Sequence, residues 1–323
     1  MGEKNLKKSP RNKTIDFNLT EGHEYADRVV DAREVQDYKD MVDKTINGDT
    51  FETVKKIPDH TIDLIVVDPP YNLSKKYHGH TFDKMDMEEY SSFTRKWLEE
   101  AKRVLKPEGT IYVCCDWETS MVMGPLVGEI FQLKNRITWQ REKGRGAKTN
   151  WKNSMEDIWY ATQSDRYTFN LDEVKMRRKV LAPYRDAGKP KDWQESEKGN
   201  YRDTSPSNFW DDITIPFWSM PENTAHPTQK PEKLIAKLIL ASSNPGDTVL
   251  DLFLGSGTTS VTAKKLDRHY IGIEQNPLYC AWAEYRLEKA ENDRMIQGYA
   301  DGVFWERNTL AAQKTERTKK QES

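Results

Sequence analysis

Asp63-Leu64-Ile65-Val66-Val67-Asp68-Pro69-Pro70-Tyr71-Asn72 is the stretch from which the rest of the chain can be read. Leu64 to Val67 has no polar face, which predicts a strand buried on both sides, as in the middle of a parallel sheet. Pro69 and Pro70 cannot continue a central strand, so the chain leaves the sheet there. Asp68 and Tyr71 are therefore expected at the carboxyl end of a parallel strand, where open α/β sheets bind their ligands.

Working outward, the same alternation of strand and helix repeats. Residues 87–105 carry Tyr90, Phe93, Trp97, Ala101 and Val104 at helical spacing, and Lys106-Pro107-Glu108-Gly109 stops that helix. An apolar strand over 110–115, a helix over 120–131 and a strand over 136–139 complete a β-α-β-α-β run. Upstream, Gly48-Asp49 opens a short helix over 50–57, with Asp49 or Thr50 as its N-cap. Beyond Pro231 come a helix over 232–242, a strand over 248–253, a helix to about 266, a strand over 270–274 and a helix over 277–291. The fold class is α/β with a mostly parallel central sheet.

Two stretches break the pattern. Residues 72–86 are polar, aromatic-bearing and adjacent to Tyr71, which marks a candidate active-site loop. Residues 140–225 begin with the basic loop Arg141-Glu142-Lys143-Gly144-Arg145-Gly146-Ala147-Lys148 and then scatter Trp193, Tyr201, Trp210, Phe217 and Trp218 among Gly, Pro, Ser and charges. Basic residues interleaved with aromatics suit phosphate contacts and base stacking. A loop-rich insertion with a small core of its own would show the same composition, so some of these tryptophans are expected to be structural. The expected division is a flexible arm over 1–20, one half of the main domain over 21–139, the insertion over 140–225, the other half over 226–300 and a charged tail over 301–323.

Of the 323 residues, 50 are Lys or Arg and 52 are Asp or Glu, a net charge of −2 that argues mildly against a nucleic-acid binder. The distribution says more than the sum. Between Lys134 and Asp203 there are 17 Lys/Arg against 11 Asp/Glu, so the insertion is basic and the remainder acidic. Charge alone does not separate a phosphate-binding surface from an unevenly charged solvated one. No apolar stretch approaches the roughly 18 residues of a membrane span. The first eight residues lack an apolar signal core, and Leu6 misses the myristoylation pattern, so the cytoplasm is the expected compartment. Cys114, Cys115 and Cys280 offer neither a disulfide framework nor zinc-ligand spacing, and no metal site is expected.

The strand over 248–253 runs into Gly255-Ser256-Gly257 and a helix. Glycines at a strand-to-helix turn allow close backbone approach, and the helix N-terminus attracts an anionic group. Glu274 follows at the end of the next strand, about twenty residues on, where an acid can accept both ribose hydroxyls of a nucleoside. No Gly-Lys-Ser/Thr follows the glycines, and Thr259 or Ser260 stands where a dinucleotide fingerprint has its third glycine. Glycine pair, helix and spaced acid together point to a nucleoside cofactor without demanding a pyrophosphate.

Asp68-Pro69-Pro70-Tyr71, His226-Pro227-Thr228-Gln229-Lys230-Pro231 and Asp251-Leu252-Phe253-Leu254-Gly255-Ser256-Gly257-Thr258-Thr259 together resemble the amino-methylating DNA methyltransferases that use S-adenosylmethionine. The order, with the tetrapeptide first, a basic segment second and the glycine motif last, is similar to the circularly permuted β group. The resemblance spans roughly residues 46–290. It implies a Rossmann-like methyltransferase fold with a target-recognition insertion, acting on double-stranded DNA.

Carried over by residue, the resemblance implies that Asp251, Phe253, Gly255, Gly257 and Thr258 line the methionine end of the cofactor. Lys230 would approach its carboxylate, Glu274 would hold the ribose, and Asp49 would contact the adenine in competition with helix capping. Asp68 and the Pro69 carbonyl would accept the two N–H bonds of an exocyclic amine, Pro70 would stiffen the turn, and Tyr71 would stack on a flipped base. Arg141, Lys143, Arg145 and Lys148 would meet DNA phosphates.

Asp at the first tetrapeptide position implies adenine N6, with cytosine N4 as the alternative. A catalytically silent DNA-binding subunit is a second class of reading, which the intact tetrapeptide and both glycines disfavour. A restriction–modification or epigenetic setting follows, with a homodimer and a cognate restriction endonuclease, a genetic rather than physical partner, left open. Attack at a ring carbon would need an activated cysteine, whereas Cys114 and Cys115 in an apolar strand and Cys280 on the last helix read as packing.

Overall fold

The computed structural model describes residues 9–73, 75–77, 80–141, 148–180, 185–194 and 200–307. Its central sheet has nine strands: β1 (Val30–Asp31), β2 (Lys44–Asn47), β3 (Ile62–Val67), β4 (Leu105–Cys115), β5 (Gln132–Gln140), β6 (Met155–Thr162), β7 (Phe209–Trp210), β8 (Thr248–Asp251) and β9 (His269–Glu274). They lie in the order β1-β2-β9-β8-β3-β4-β6-β5-β7. Pairing is parallel throughout except at β6, which runs antiparallel to both β4 and β5.

β3 is buried on both faces as its composition requires. Leu64 and Val66 pack with Leu234, Ile235 and Leu238 of helix Glu232–Ser242 on one side. Ile65 and Val67 pack with Trp97, Leu98 and Ala101 of helix Met87–Val104 on the other. That second helix starts at a capping box, where Asp86 accepts the backbone N–H groups of Glu88 and Glu89 and Glu89 reaches back to Asp86. Further helices span Trp117–Ile130, Thr258–Lys265 and Pro277–Asn292. No helix among the described residues is long and apolar enough to cross a membrane.

Three expected boundaries move. β6 and β7 belong to the central sheet, so that sheet does not end at residue 139. In β6 Met155 is followed by Glu156 and Asp157, two acids that hide the strand in the sequence and that ion pairs and hydrogen bonds compensate in the fold.

The expected flexible arm is tied down over its described part. Ile15 is buried and exchanges backbone hydrogen bonds with Asn223 and Ala225, and Phe17 packs edge-on against Trp282 and Tyr285. The expected tail also contributes structure. Val303–Trp305 joins Met176–Lys179, Tyr201–Thr204 and Tyr299–Ala300 in a four-stranded sheet, with Phe304 fully buried. Residues 308–323 lie outside the described residues. Within the insertion, Trp193 and Trp210 are core residues while Trp218 is exposed.

Candidate active site at the carboxyl edge of the sheet

The carboxyl ends of β2, β3, β8 and β9 open on one cleft. Asp49, Asp68, Pro69, Pro70, Tyr71, Lys230, Asp251, Phe253, Gly255, Thr258 and Glu274 all line it. Because β6 is reversed, its amino end reaches the same edge. Asp157 pairs in register with Cys115, the last residue of β4, which places Glu156 just beyond the end of that strand.

Four charged groups of alternating sign and one phenol meet there. Lys230 Nζ lies 2.6 Å from Asp68 Oδ2, 3.1 Å from Glu156 Oε2 and 3.2 Å from the Tyr71 hydroxyl. Tyr71 donates to Glu156 Oε2 at 3.2 Å, and Arg141 donates to Glu156 Oε1 at 2.5 Å. Asp68 Oδ1 is buried without a hydrogen-bond partner among the described residues. Burial works against the Lys230 charge, but the Asp68 and Glu156 carboxylates beside it reverse that and hold the ammonium above the ordinary lysine range. Burial likewise opposes ionisation of Glu156, and Lys230 and Arg141 more than compensate, keeping it an anion. The Cys114 thiol is pushed well up by burial and by the charge of Asp68, so it stays protonated and inert.

The turn that carries Asp68 is fixed from two sides. Tyr90, fully buried on helix Met87–Val104, donates to the Pro70 carbonyl at 3.0 Å. Asn72 exchanges two hydrogen bonds with the backbone of Met85, pinning the ends of the loop between them. Gln229 folds the segment before Lys230, accepting from the Thr224 backbone and hydroxyl and donating to the Glu222 carbonyl.

The other wall of the cleft is built by β8, β9 and the turn after β8. Asp251 is buried, accepting from Thr259 Oγ1 at 2.6 Å and from the Phe253 backbone at 3.0 Å. Burial pushes its carboxyl up to about 7 in spite of those two bonds. Glu274 lines the cleft and accepts backbone N–H bonds from Gly255 at 2.9 Å on Oε2 and from Asn276 at 2.7 Å on Oε1, which fixes the carboxylate. Phe253 closes the floor, edge-on to Trp97. Gly255 and Gly257 have φ of 55° and 86°, the left-handed region that favours glycine.

The three N–H donors of Lys230 are taken up by Asp68, Glu156 and Tyr71, which ties the ammonium to the turn after β3. Gly257 is not on the cleft wall; a Cβ there would lie 2.5 Å from Ala283 Cβ, so its requirement is packing of helix Thr258–Lys265 against helix Pro277–Asn292. The Thr258 hydroxyl donates to the Lys230 carbonyl and accepts from Arg286. Asp49 caps the short helix Thr50–Thr53 through the Glu52 N–H while standing at the cleft rim.

Arg141 turns inward to Glu156. Its backbone N–H bonds the Ser154 carbonyl, closing the base of the β5–β6 hairpin beside the cleft. Lys148 is exposed on that hairpin, as is Trp151 at 93%; Lys143 and Arg145 lie outside the described residues.

Glu156, Tyr90 and Asn72 were not singled out from the sequence. Glu156 shares the phase of Ile158 and Tyr160 along its strand, and that alternation is the one local signal that could have found it.

Fold and site together define an α/β protein with a cleft at the carboxyl edge of its sheet, lined by a carboxylate whose Oδ2 is paired with Lys230 and whose Oδ1 has no hydrogen-bond partner among the described residues. The family profile for N6/N4 DNA methylases matches residues 62–285, and the chain belongs to that family. It is 37% identical over 255 residues to the type II methyltransferase M.HpaI of Haemophilus parainfluenzae, covering 78% of this chain and 76% of that protein. It is 34% identical over 254 residues to the DNA adenine methyltransferase YhdJ of Escherichia coli strain K12, covering 76% and 83%. Among solved structures, the M1.HpyAVI–SAM complex superposes with a TM-score of 0.50 at 23% identity, over 75% of this chain and 98% of that one.

Proposed function

We propose that this methyltransferase moves a methyl group from S-adenosylmethionine to the N6 amine of an adenine flipped out of double-stranded DNA, within a sequence-specific modification system. The observation that carries the reading is Asp68 Oδ1, a buried carboxylate oxygen with no hydrogen-bond partner among the described residues, in a cleft that Asp251, Phe253 and Glu274 also line. Asp251 suits the amino group of the methionine moiety, Glu274 the ribose hydroxyls, Phe253 an aromatic or thioether face, and Asp49 the adenine edge. When bound, the cofactor supplies a sulfonium methyl group.

An exocyclic amine conjugated to a base is a poor nucleophile because its lone pair is delocalised into the ring. Asp68 Oδ1 and the Pro69 carbonyl accept its two N–H bonds and favour a tetrahedral nitrogen. With the cofactor held by Asp251, Phe253 and Glu274, its S–CH3 bond would break as the N–CH3 bond forms. The nitrogen becomes positive, Asp68 stabilises that charge, and one N–H proton then leaves to water. Pro69, Pro70 and the Tyr90 bond to the Pro70 carbonyl hold the acceptors ready before substrate arrives. Tyr71 gives the flipped base a stacking face. The test is transfer of a methyl label from cofactor to duplex DNA. Label in protein or RNA alone would refute the reading.

Two further outcomes follow. Only ionised Asp251 can pair with the amino group of the cofactor, and its carboxyl titrates at about 7. Binding therefore releases a proton, and cofactor affinity is expected to be about tenfold tighter at pH 8 than at pH 6. Calorimetry in buffers of different ionisation enthalpy checks this, and Asp251→Asn should flatten the dependence. On the DNA side, replacing Lys143, Arg145 and Lys148 by Gln should reduce the slope of log Kd against log salt by about 0.9 for each phosphate no longer neutralised. The reading places the protein in the cytoplasm, with duplex DNA as its partner and a restriction endonuclease linked to it genetically.

A further inference from the structure

Glu156 sits where a strand that faces the core should carry an apolar side chain. It is 4% exposed, and the residues in phase with it, Ile158 and Tyr160, are buried in an apolar cluster. Burying a carboxylate is costly unless other groups compensate it, and three do so here: Arg141 on one oxygen, Lys230 and the Tyr71 hydroxyl on the other. An apolar residue would fill the position at lower cost. The retained charge therefore has a task other than packing.

We propose that Glu156 is a positioning residue for the catalytic carboxylate, acting through Lys230 and Tyr71. This rests on the methyl-transfer reading above. Without Glu156 the site would hold two cations, Arg141 and Lys230, and a single anion, Asp68. Arg141 would lose its partner, and Asp68 would be the one carboxylate left for it among these groups. A guanidinium takes carboxylates through two oxygens at once, so capture of Asp68 would occupy Oδ1, the oxygen the substrate amine needs. Lys230 would also lose one of the two anions that hold its proton. Glu156 thus engages Arg141, keeps Lys230 charged on Asp68 Oδ2, and leaves Oδ1 open. Tyr71, donating to Glu156 while accepting from Lys230, has its ring fixed by the same pair.

Glu156→Gln keeps the shape and removes the charge. The expected result is a fall in kcat of at least about tenfold, with cofactor Kd within about twofold of wild type, since the partners of Glu156 are Arg141, Lys230 and Tyr71 and not the Asp251, Phe253 and Glu274 side chains assigned to the cofactor. Its kcat should also decline at lower pH on the alkaline side than that of wild type, because Lys230 gives up its proton more readily. Glu156→Asp should recover part of the rate. A purely structural role would instead lower the melting temperature and cofactor affinity together and leave the shape of the pH profile unchanged.

If Glu156→Gln loses cofactor binding, the comparison passes to Arg141→Gln/Glu156→Gln, which removes one charge of each sign. In that variant a higher kcat than in Arg141→Gln alone would overturn the proposal, and a lower one would support it. Wild-type activity on DNA is measured alongside. No transfer by wild type would sink the methyl-transfer reading itself, whereas an active wild type matched by Glu156→Gln in rate and pH profile would overturn this inference alone.

Discussion

Asp68→Ala is expected to abolish methyl transfer, by at least about a thousandfold in single-turnover rate, while cofactor Kd stays within about threefold of wild type. Removing one preorganised hydrogen-bonding group from such a site costs on the order of 10²–10³ in rate, and Asp68 adds the charge that faces the developing ammonium. The split between rate and binding follows from position. Asp68 directly follows β3, whereas the Asp251 and Glu274 carboxylates come from β8 and β9 and are held by their own backbone partners. Removing Asp68 leaves Lys230 with Glu156 and Tyr71, so the ammonium stays paired and the fold has no orphaned charge to expel. Equilibrium binding of labelled cofactor and a rapid-quench time course on the same preparation read both quantities. Loss of cofactor binding in parallel with rate would move Asp68 from the chemistry to the cofactor wall.

Lys230→Gln has the second largest expected effect, a fall in kcat of about a hundredfold with cofactor affinity nearly unchanged. The variant leaves Asp68 and Glu156 as two carboxylates without the ammonium that now stands within 3.1 Å of each. Like charges at such range raise the pKa of one of them. One of the two will therefore hold a proton more firmly than in wild type, and a proton that settles on Asp68 removes the acceptor. The sign is definite: kcat of the variant should rise with pH across the neutral range, where wild type is flat. A large rise in cofactor Kd with an unchanged pH profile would instead return Lys230 to the role its sequence context implied, against the cofactor carboxylate.

How far these roles were legible in the sequence depended on how local their cause is. Leu64 to Val67 and the prolines after them announce a buried strand and its end within ten residues, and the structure follows. Gly255 and Glu274 are separated by one helix and one strand, so their meeting at 2.9 Å was implied by the alternation itself. Lys230 and Asp68 are 162 residues apart, and no spacing rule connects them; the pairing exists only once helix Glu232–Ser242 packs on β3.

β6 was hidden because the second and third of its residues are acids, and the cations that compensate Glu156, Arg141 and Lys230, come from segments outside the strand. Ile15 and Phe17 were invisible for a related reason. They are single apolar residues in a polar arm, buried against Trp282, Tyr279 and Ala225 from the far end of the chain. Gly257 was assigned to the right motif for a different reason from the one the packing shows, since Ala283 and not a ligand excludes its Cβ.

The central claim is that Asp68 and its turn act on the exocyclic amine of a flipped adenine. Family membership alone does not choose the base, because the profile that matches spans N6 and N4 methylases. The most direct measurement is to methylate mixed-sequence duplex DNA with labelled cofactor, digest it to nucleosides and identify the labelled product by mass. Label in N6-methyldeoxyadenosine, flanked by one recurrent sequence, is the predicted result. Label in N4-methyldeoxycytidine, or none in DNA at all, would contradict it.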